Sequence, residues 1–243
     1  MISSLFHSVV YDPLYNGLVL LIDKLPGGDI GFAVIIFTCI VKLILLPLSK
    51  GSVRTQIKMR ELQPELNRIQ NQYKDNKEEQ ARQILQFYRS NNLNPFAGIL
   101  LVLIQLPIIL ALAFIFYGGG FPAIQLDLLY SFVPKPDVIN TIFLGLIDVS
   151  KKSIILGVLA GISQFISVRL SIPPHVPTSD KPSFKDDLAK SMNMQMRYIM
   201  PVFVFFISLG VSGAVSLYWI TSNIFTIGQE LYFRKTVKAE KKA

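Results

Sequence analysis

Apolar residues fall in long blocks along this chain, separated by shorter polar stretches, and the blocks have the length of bilayer spans. A helix needs roughly 20 mostly apolar residues to cross a hydrocarbon core about 30 Å thick at about 1.5 Å per residue. Five blocks qualify, at about 29–48, 95–117, 153–170, 197–212 and 214–232, the third of them marginal in length. The last two nearly touch, which predicts a tight turn at Gly210 and Gly213. Residues 5–22 are also apolar but are interrupted by Asp12, Pro13 and Asn16, and no basic segment precedes them as in a cleaved signal peptide. They predict an amphipathic helix lying on the outer surface. Residues 138–147 (VINTIFLGLI) are too short to span and apolar enough to sit at an interface.

The one long polar stretch, 51–93, carries a helical pattern of its own. Leu62, Leu66, Ile69 and Tyr73, then Ala81, Ile84 or Leu85, and Tyr88 recur at helical spacing on either side of a turn at 74–79. Two antiparallel amphipathic helices would bury these stripes against each other, with Pro64 kinking or restarting the first. Such a hairpin is either a solvated connector with a basic face or a mobile arm that receives a substrate chain or touches a ribosome.

Composition narrows the class. Hydrophobic residues make up 51% of the chain and charged ones 16%, where soluble domains carry about 25% charged. The net charge of +8 would suit nucleic acid, but the charges avoid the apolar blocks and no specific nucleic-acid sequence is expected as a partner. Their distribution sets orientation instead. Lys50, Arg54, Lys58, Arg60, Arg68, Lys74, Lys77, Arg82 and Arg89 lie after the first block, and Arg169, Lys181, Lys185, Lys190 and Arg197 after the third. Arg234, Lys235, Lys238, Lys241 and Lys242 follow the last. The opposite side has only Lys24, Lys135, Lys151 and Lys152. Basic residues stay on the cytoplasmic side, so the amino terminus is expected outside the cell membrane and the carboxyl tail in the cytoplasm. Residues 1–28 then form the external interfacial helix. Residues 29–232 form a five-span core with the 51–93 hairpin inserted, and 233–243 a basic cytoplasmic tail. Cys39, the one cysteine, lies inside an apolar block, so neither a disulfide nor a cysteine metal cluster is expected.

Polar residues inside the spans are not scattered. In the first span Gly31, Thr38, Lys42 and Ser49 fall within about 40° of one another at ~100° per residue. A charge at the depth of Lys42 costs about 2.5–3.5 kcal/mol on insertion scales, so it either snorkels to the nearby surface or faces water. In the last span Ser216, Tyr218, Trp219, Ser222, Asn223, Thr226, Gln229 and Glu230 occupy an arc of about 160°. The third span groups Gly157, Ala160, Gly161, Ser163, Gln164 and Ser167, a pattern that also serves close helix packing. Gln105 lies near the middle of the second span, in line with Asn94 and Gly98. Three or four such stripes would enclose a wet cavity, with Lys42 its only deep charge if Glu230 lies near the cytoplasmic end. Met192, Met194, Met196 and Met200 near the entry are either gap-fillers or a soft apolar landing surface. Mid-depth carboxylates for proton transport are lacking, and no nucleophile–base pair, metal cluster or phosphate loop stands out; Gly118–Gly120 reads as an external turn. A binding surface without cofactor fits better than an enzyme.

Four segments, in order, resemble the YidC/Oxa/Alb family of membrane protein insertases: IVKLILLPLS (40–49), LQPELNRIQNQYKDNKEEQARQILQFYRSNNLNP (62–95), LIQLPIILALAF (103–114) and LYWITSNIFTIGQELYF (217–233). The likeness runs from about residue 11 to 232. It implies an all-α integral membrane fold, five transmembrane helices around a hydrophilic groove open to cytoplasm and lipid and sealed outside. Carried onto this sequence, Lys42 is the groove's basic residue, Thr38 its neighbour one turn earlier and Gln105 a groove-lining amide. Tyr218 and Trp219 are an aromatic pair that contacts the entering chain, and Ser222 is expected beside them. The family's basic residue is commonly Arg, and many members have Tyr where Trp219 stands. The large extracytoplasmic domain and long basic tail of some members have no counterpart within these residues. The implied partners are nascent membrane-protein chains, the ribosome, the Sec translocon and the lipid bilayer. A small-anion transporter using Lys42 as its selectivity charge, or a structural subunit of a membrane complex, are the alternatives. The charge asymmetry makes a direct prediction: in intact cells a cysteine placed at Lys135 is labelled by an impermeant reagent and one at Asn76 is spared, and the reverse pattern defeats the five-span reading.

Overall fold

The computed structural model describes residues 5–93, 97–117, 121, 123–171, 191 and 193–240. The expected turn at 118–120 lies outside these residues, as do Asn94, His175, Lys181, Lys185, Lys190, Met192, Lys241 and Lys242. Nine α-helices are described: α1 (Asp12–Lys24), α2 (Ile30–Ile44), α3 (Leu46–Glu61), α4 (Gln63–Gln72), α5 (Lys77–Ser90), α6 (Ala97–Tyr117), α7 (Ile154–Ser171), α8 (Met200–Gly210) and α9 (Gly213–Glu240). Wider π-helical turns, His7–Tyr11 and Gln195–Ile199, lead into α1 and α8. Among the described residues α7 alone has the length and apolarity of a membrane span. Helices α2 and α3 reach that length only as a pair, bent by 66°, while Leu103–Tyr117 and Gln195–Gly210 are apolar but shorter.

Breaks in the helices follow local chemistry. Pro47 stands in the first turn of α3 and Pro64 in that of α4, where a missing N–H costs nothing, so each restarts a helix. Asn76 caps α5 by accepting from the Glu79 amide at 3.1 Å. Helices α4 and α5 bury Leu66 and Phe87 together with Leu93, flanked by Leu62, Ile69, Ile84 and Tyr88. Burial pushes the Tyr88 hydroxyl pKa up.

The amino-terminal helix is packed against protein along one face. Tyr15, Leu18, Val19 and Ile22 of α1 are almost wholly buried, and their partners are protein: Ile30, Ala33 and Val34 of α2 and Ala111, Leu112 and Ile115 of α6. The residues that interrupt the apolar run explain why. Pro13 sits in the first turn, where its fixed φ suits the helix. Asn16 Nδ2 donates to the Asp12 and Leu128 carbonyls at 2.8 Å, and its Oδ1 accepts from the Tyr130 amide at 2.7 Å. Tyr15 accepts from the Gln125 amide at 2.8 Å. Helix α1 is therefore packed on the main core, tied to the loop at Gln125, Leu128 and Tyr130 by the Asn16 amide and the Tyr15 hydroxyl.

Residues 138–151 contain the short apolar segment 138–147. They form a small antiparallel hairpin, Ile142–Phe143 (β1) against Ile147–Asp148 (β2), turning through Leu144 and Gly145 at positive φ. This segment closes one end of the bundle by satisfying helix starts that lack donors' partners of their own. The Ile30 amide of α2 donates to the Asn140 carbonyl at 2.9 Å, and Asp29 caps the same helix by accepting from Phe32 at 3.0 Å. At the start of α9, the Gly213 and Ala214 amides donate to the Lys151 and Val149 carbonyls at 2.7 and 2.8 Å. Asp148 accepts from the Ser150 hydroxyl and lies 3.1 Å from Lys151 Nζ; the Ser150 hydroxyl above all holds its carboxyl pKa at about 2.

On the other side of the core, α7 packs between α8 and α9. A Cβ on Gly157 would meet Leu209 at 3.1 Å and one on Gly161 would meet Phe205 at 3.1 Å, so the small residues of GVLAG admit α8 closely. The opposite face gives Ser163 to α9, where its hydroxyl accepts from Asn223 Nδ2 at 3.0 Å.

The end closure makes Gly28 sensitive. Its φ is +61°, and an added Cβ would stand 2.0 Å from the Val138 carbonyl oxygen, whereas Gly27, at φ +73°, faces open space. Gly28→Ala is expected to cost about 1–3 kcal/mol or more and to lower the Tm in detergent clearly further than Gly27→Ala. Equal effects would show that the close approach to Val138 contributes nothing.

Candidate functional site: a polar cavity beside Lys42

The bend after Ile44 turns α3 so that its Ser49, Val53 and Gln56, spaced by four and three residues, continue the wall begun by Lys42 and Leu45. Across from them α9 presents Thr226, Gln229 and Glu230, α6 presents Gln105, and the end of α7 presents Ser171. Together these residues line a cavity of about 100 Å³, large enough to hold water. Lys42 Nζ donates to Thr226 Oγ1 at 3.4 Å, and Gln229 Nε2 donates to Ser49 Oγ at 2.6 Å. Both bonds join α9 to the bent α2–α3 pair. A wider groove of about 490 Å³ between α7 and α8 is lined by aliphatic and aromatic side chains such as Ile162, Phe165, Val202 and Phe205 and offers no convergent polar groups.

The residues singled out from sequence divide in two. Lys42 and Gln105 share the cavity. Tyr218 lies just behind it, only 1% exposed, its hydroxyl accepting a hydrogen bond from Gln105 Nε2. Thr38 is fully buried and donates back to the Val34 carbonyl at 2.6 Å, so it packs within the helix bundle and does not line the cavity. Trp219 is half-buried against the main core. Ser222 is buried, and its carbonyl accepts from Thr226 Oγ1 at 2.8 Å. Each of these three is one turn or more from the cavity wall.

Two polar lining residues, Gln56 and Ser171, fall outside the polar stripes of the sequence, and a third, Glu230, takes a deeper place than expected. Gln56 lies in the polar stretch expected to begin the hairpin, and its seven-residue spacing from Ser49 puts both on one face of α3. Ser171 ends α7. The sequence sets Glu230 on the polar arc of the last span, toward its cytoplasmic end; the structure brings it into the same cavity as Lys42, with its side chain 3% exposed. Its carboxylate accepts from Arg234 Nε at 3.0 Å and pairs with Nη2 at 2.9 Å, while the same guanidinium donates to the Leu170 carbonyl at the end of α7. Among the described residues no group of His, Cys, Asp and Glu is arranged to hold a metal ion. What the cavity offers is a set of hydrogen-bond donors and acceptors around one ammonium.

Residues 21–241 match the family described as 60Kd inner membrane protein. The chain belongs to that family. Among curated members, the membrane protein insertase YidC of Clostridium tetani is 33% identical over 210 residues, covering 86% of this chain and 84% of the relative. The membrane protein insertase YidC of Enterococcus faecalis is 32% identical over 225 residues, 88% of this chain and 70% of its own. That of Francisella tularensis subsp. novicida is 32% identical over 218 residues, 88% of this chain but 34% of the longer relative. Membership makes this a protein of the cell membrane.

Burial of Tyr218 gives this family member a test of packing against contact. Tyr218→Phe keeps the ring and removes the acceptor for Gln105, a loss of about 1 kcal/mol. Tyr218→Ala empties a core site and is expected to cost about 3–5 kcal/mol, read as a large fall in Tm in detergent. If Tyr218→Ala melted with the parent, the side chain would be a surface contact and not part of the core.

Proposed function

We infer that this chain works as a membrane protein insertase, and that the cavity beside Lys42 is the place where the polar part of an incoming chain is held. The observation that carries the reading is that cavity: amides, hydroxyls and an ammonium gathered between apolar helices, in a chain whose relatives are named insertases. Bringing a polar flank into a bilayer costs several kcal/mol per unsatisfied group. Gln56, Gln105, Thr226 and Gln229 replace the lost water contacts, and Lys42 attracts acidic residues. The apolar part of the substrate then leaves sideways into lipid, driven by about 0.8 kcal/mol per buried CH₂. A negative charge moving outward gains about 2.3 kcal/mol per 100 mV. No step requires nucleotide hydrolysis or a covalent intermediate.

In this reading α2, α6, α7, α8 with its preceding turn, and α9 are the five spans. The 138–151 hairpin end faces outside and the α4–α5 hairpin the cytoplasm, as the basic residues require. Closure of the outer end by backbone hydrogen bonds fits a groove that receives substrate from the cytoplasm only. The α4–α5 hairpin reaches the bundle through α3, which suits an arm that meets ribosome-borne chains, with or without the Sec translocon.

The test is insertion of two substrates that differ only in the charge of the translocated flank, at matched levels of insertase. Lys42→Arg keeps the cation and is expected to keep insertion. Lys42→Leu removes the depth cost and stays abundant, yet loses about tenfold on the acidic flank relative to the neutral one, the scale of a close charge contact partly screened by water. Lys42→Glu is worst, because it repels the flank. Parent-like handling of both substrates by Lys42→Leu would mean that Lys42 only snorkels.

A further inference from the structure

Two opposite charges line one small cavity without pairing. Lys42 and Glu230 both face it, and Thr226, which takes the Lys42 hydrogen bond, is one helical turn before Glu230 on α9. A lysine on a flexible four-carbon stem, facing a carboxylate 3% exposed, would ordinarily close onto it. Here the carboxylate is held by Arg234, through Nε at 3.0 Å and Nη2 at 2.9 Å. The planar guanidinium is anchored in turn on the Leu170 carbonyl, so its fork is fixed before it meets the carboxylate.

We propose that Arg234 is a positioning residue for the cavity charge: by holding Glu230 it keeps that carboxylate from neutralising Lys42, and so sets the preference for acidic substrate flanks. The inference rests on the insertase reading and on the attraction assigned there to Lys42. Arg234 touches no substrate in this account. It acts on selectivity through Glu230, and Glu230 acts through its distance from Lys42. A purely structural Arg234 would affect abundance or total insertion, whereas this role affects the ratio between two substrates.

The experiment measures insertion of the acidic-flank and neutral-flank substrates by the full chain in membranes, at matched protein levels. Arg234→Gln frees Glu230 to pair with Lys42 and is expected to lower the acidic-over-neutral ratio roughly tenfold, as neutralising one close charge does. Arg234→Lys retains a cation beside Glu230 and keeps most of the ratio. The double variant Arg234→Gln with Glu230→Gln removes the competing carboxylate and restores the ratio. Should Arg234→Gln fail to accumulate, Arg234→Met keeps the aliphatic stem and carries the same expectation. A parent-like ratio in the charge-removing variants, or no restoration in the double variant, overturns the proposal while leaving the insertase reading intact. A parent whose ratio does not depend on Lys42 overturns both.

Discussion

A polar side chain set among apolar helices has to be satisfied by another part of the same protein, because lipid offers neither donor nor acceptor. That constraint organises this bundle. Asn223 finds Ser163, Gln105 finds Tyr218, Gln229 finds Ser49, and Glu230 finds Arg234. Three of these bonds join α9 to α7, α6 and α3. The polar arc of the last helix therefore serves as the spine against which the others are placed. Around Ser216, Tyr218 and Ser222 the arc is packed shut. Where it opens, around Thr226 and Gln229, the cavity begins.

The same requirement acts on the backbone at the opposite end. Two helices, α2 and α9, begin there with free amides, and one loop satisfies both through Asn140, Val149 and Lys151. Gly28 and Gly213 allow the approach, the latter with a Cβ position 3.1 Å from Val149 Cα. Asn16 and Tyr15 fasten the neighbouring loop to α1. The result is an end held by main-chain hydrogen bonds and a cavity end held by side chains. Side-chain bonds to long flexible groups can be exchanged for a substrate's own groups, whereas the backbone ladder cannot without unfolding the cap. The mechanical asymmetry suits the one-sided loading proposed for the cavity.

Exposed apolar side chains lie along the flanks of the bundle, including Leu103, Leu106, Leu110 and Phe114 on α6 and Ile162 and Ile166 on α7. In water these would be a liability; in a bilayer they need no partner. Glycines inside α7 have the reverse purpose. They gain stability from close approach of α8, since helices in lipid associate through packing and not through exclusion of water.

Much of this architecture was legible along the chain because it depends on local periodicity. Five apolar blocks, the stripes at Leu66, Ile69 and Ile84, the restart at Pro64 and the polar arc from Ser216 to Glu230 are all properties of neighbouring residues. So is the family resemblance, carried by ordered local segments. Tertiary structure alone decided which of those residues meet. Thr38 shares its sequence stripe with Lys42 yet bonds to its own helix, while Gln56 and Ser171 reach the cavity from segments that gave no reason to expect them there. Asn16 and Asp12, which argue against burial when read locally, belong to a helix whose core face is fully buried, because Asn16 meets Leu128 and Tyr130 more than a hundred residues away. Lys42 and Thr226 stand 184 residues apart, and Ser49 and Gln229 180. Helical periodicity says which face a side chain occupies, but the partner on that face is chosen by the bend at Leu45 and the packing of α9. Neither is a property of any short stretch of sequence.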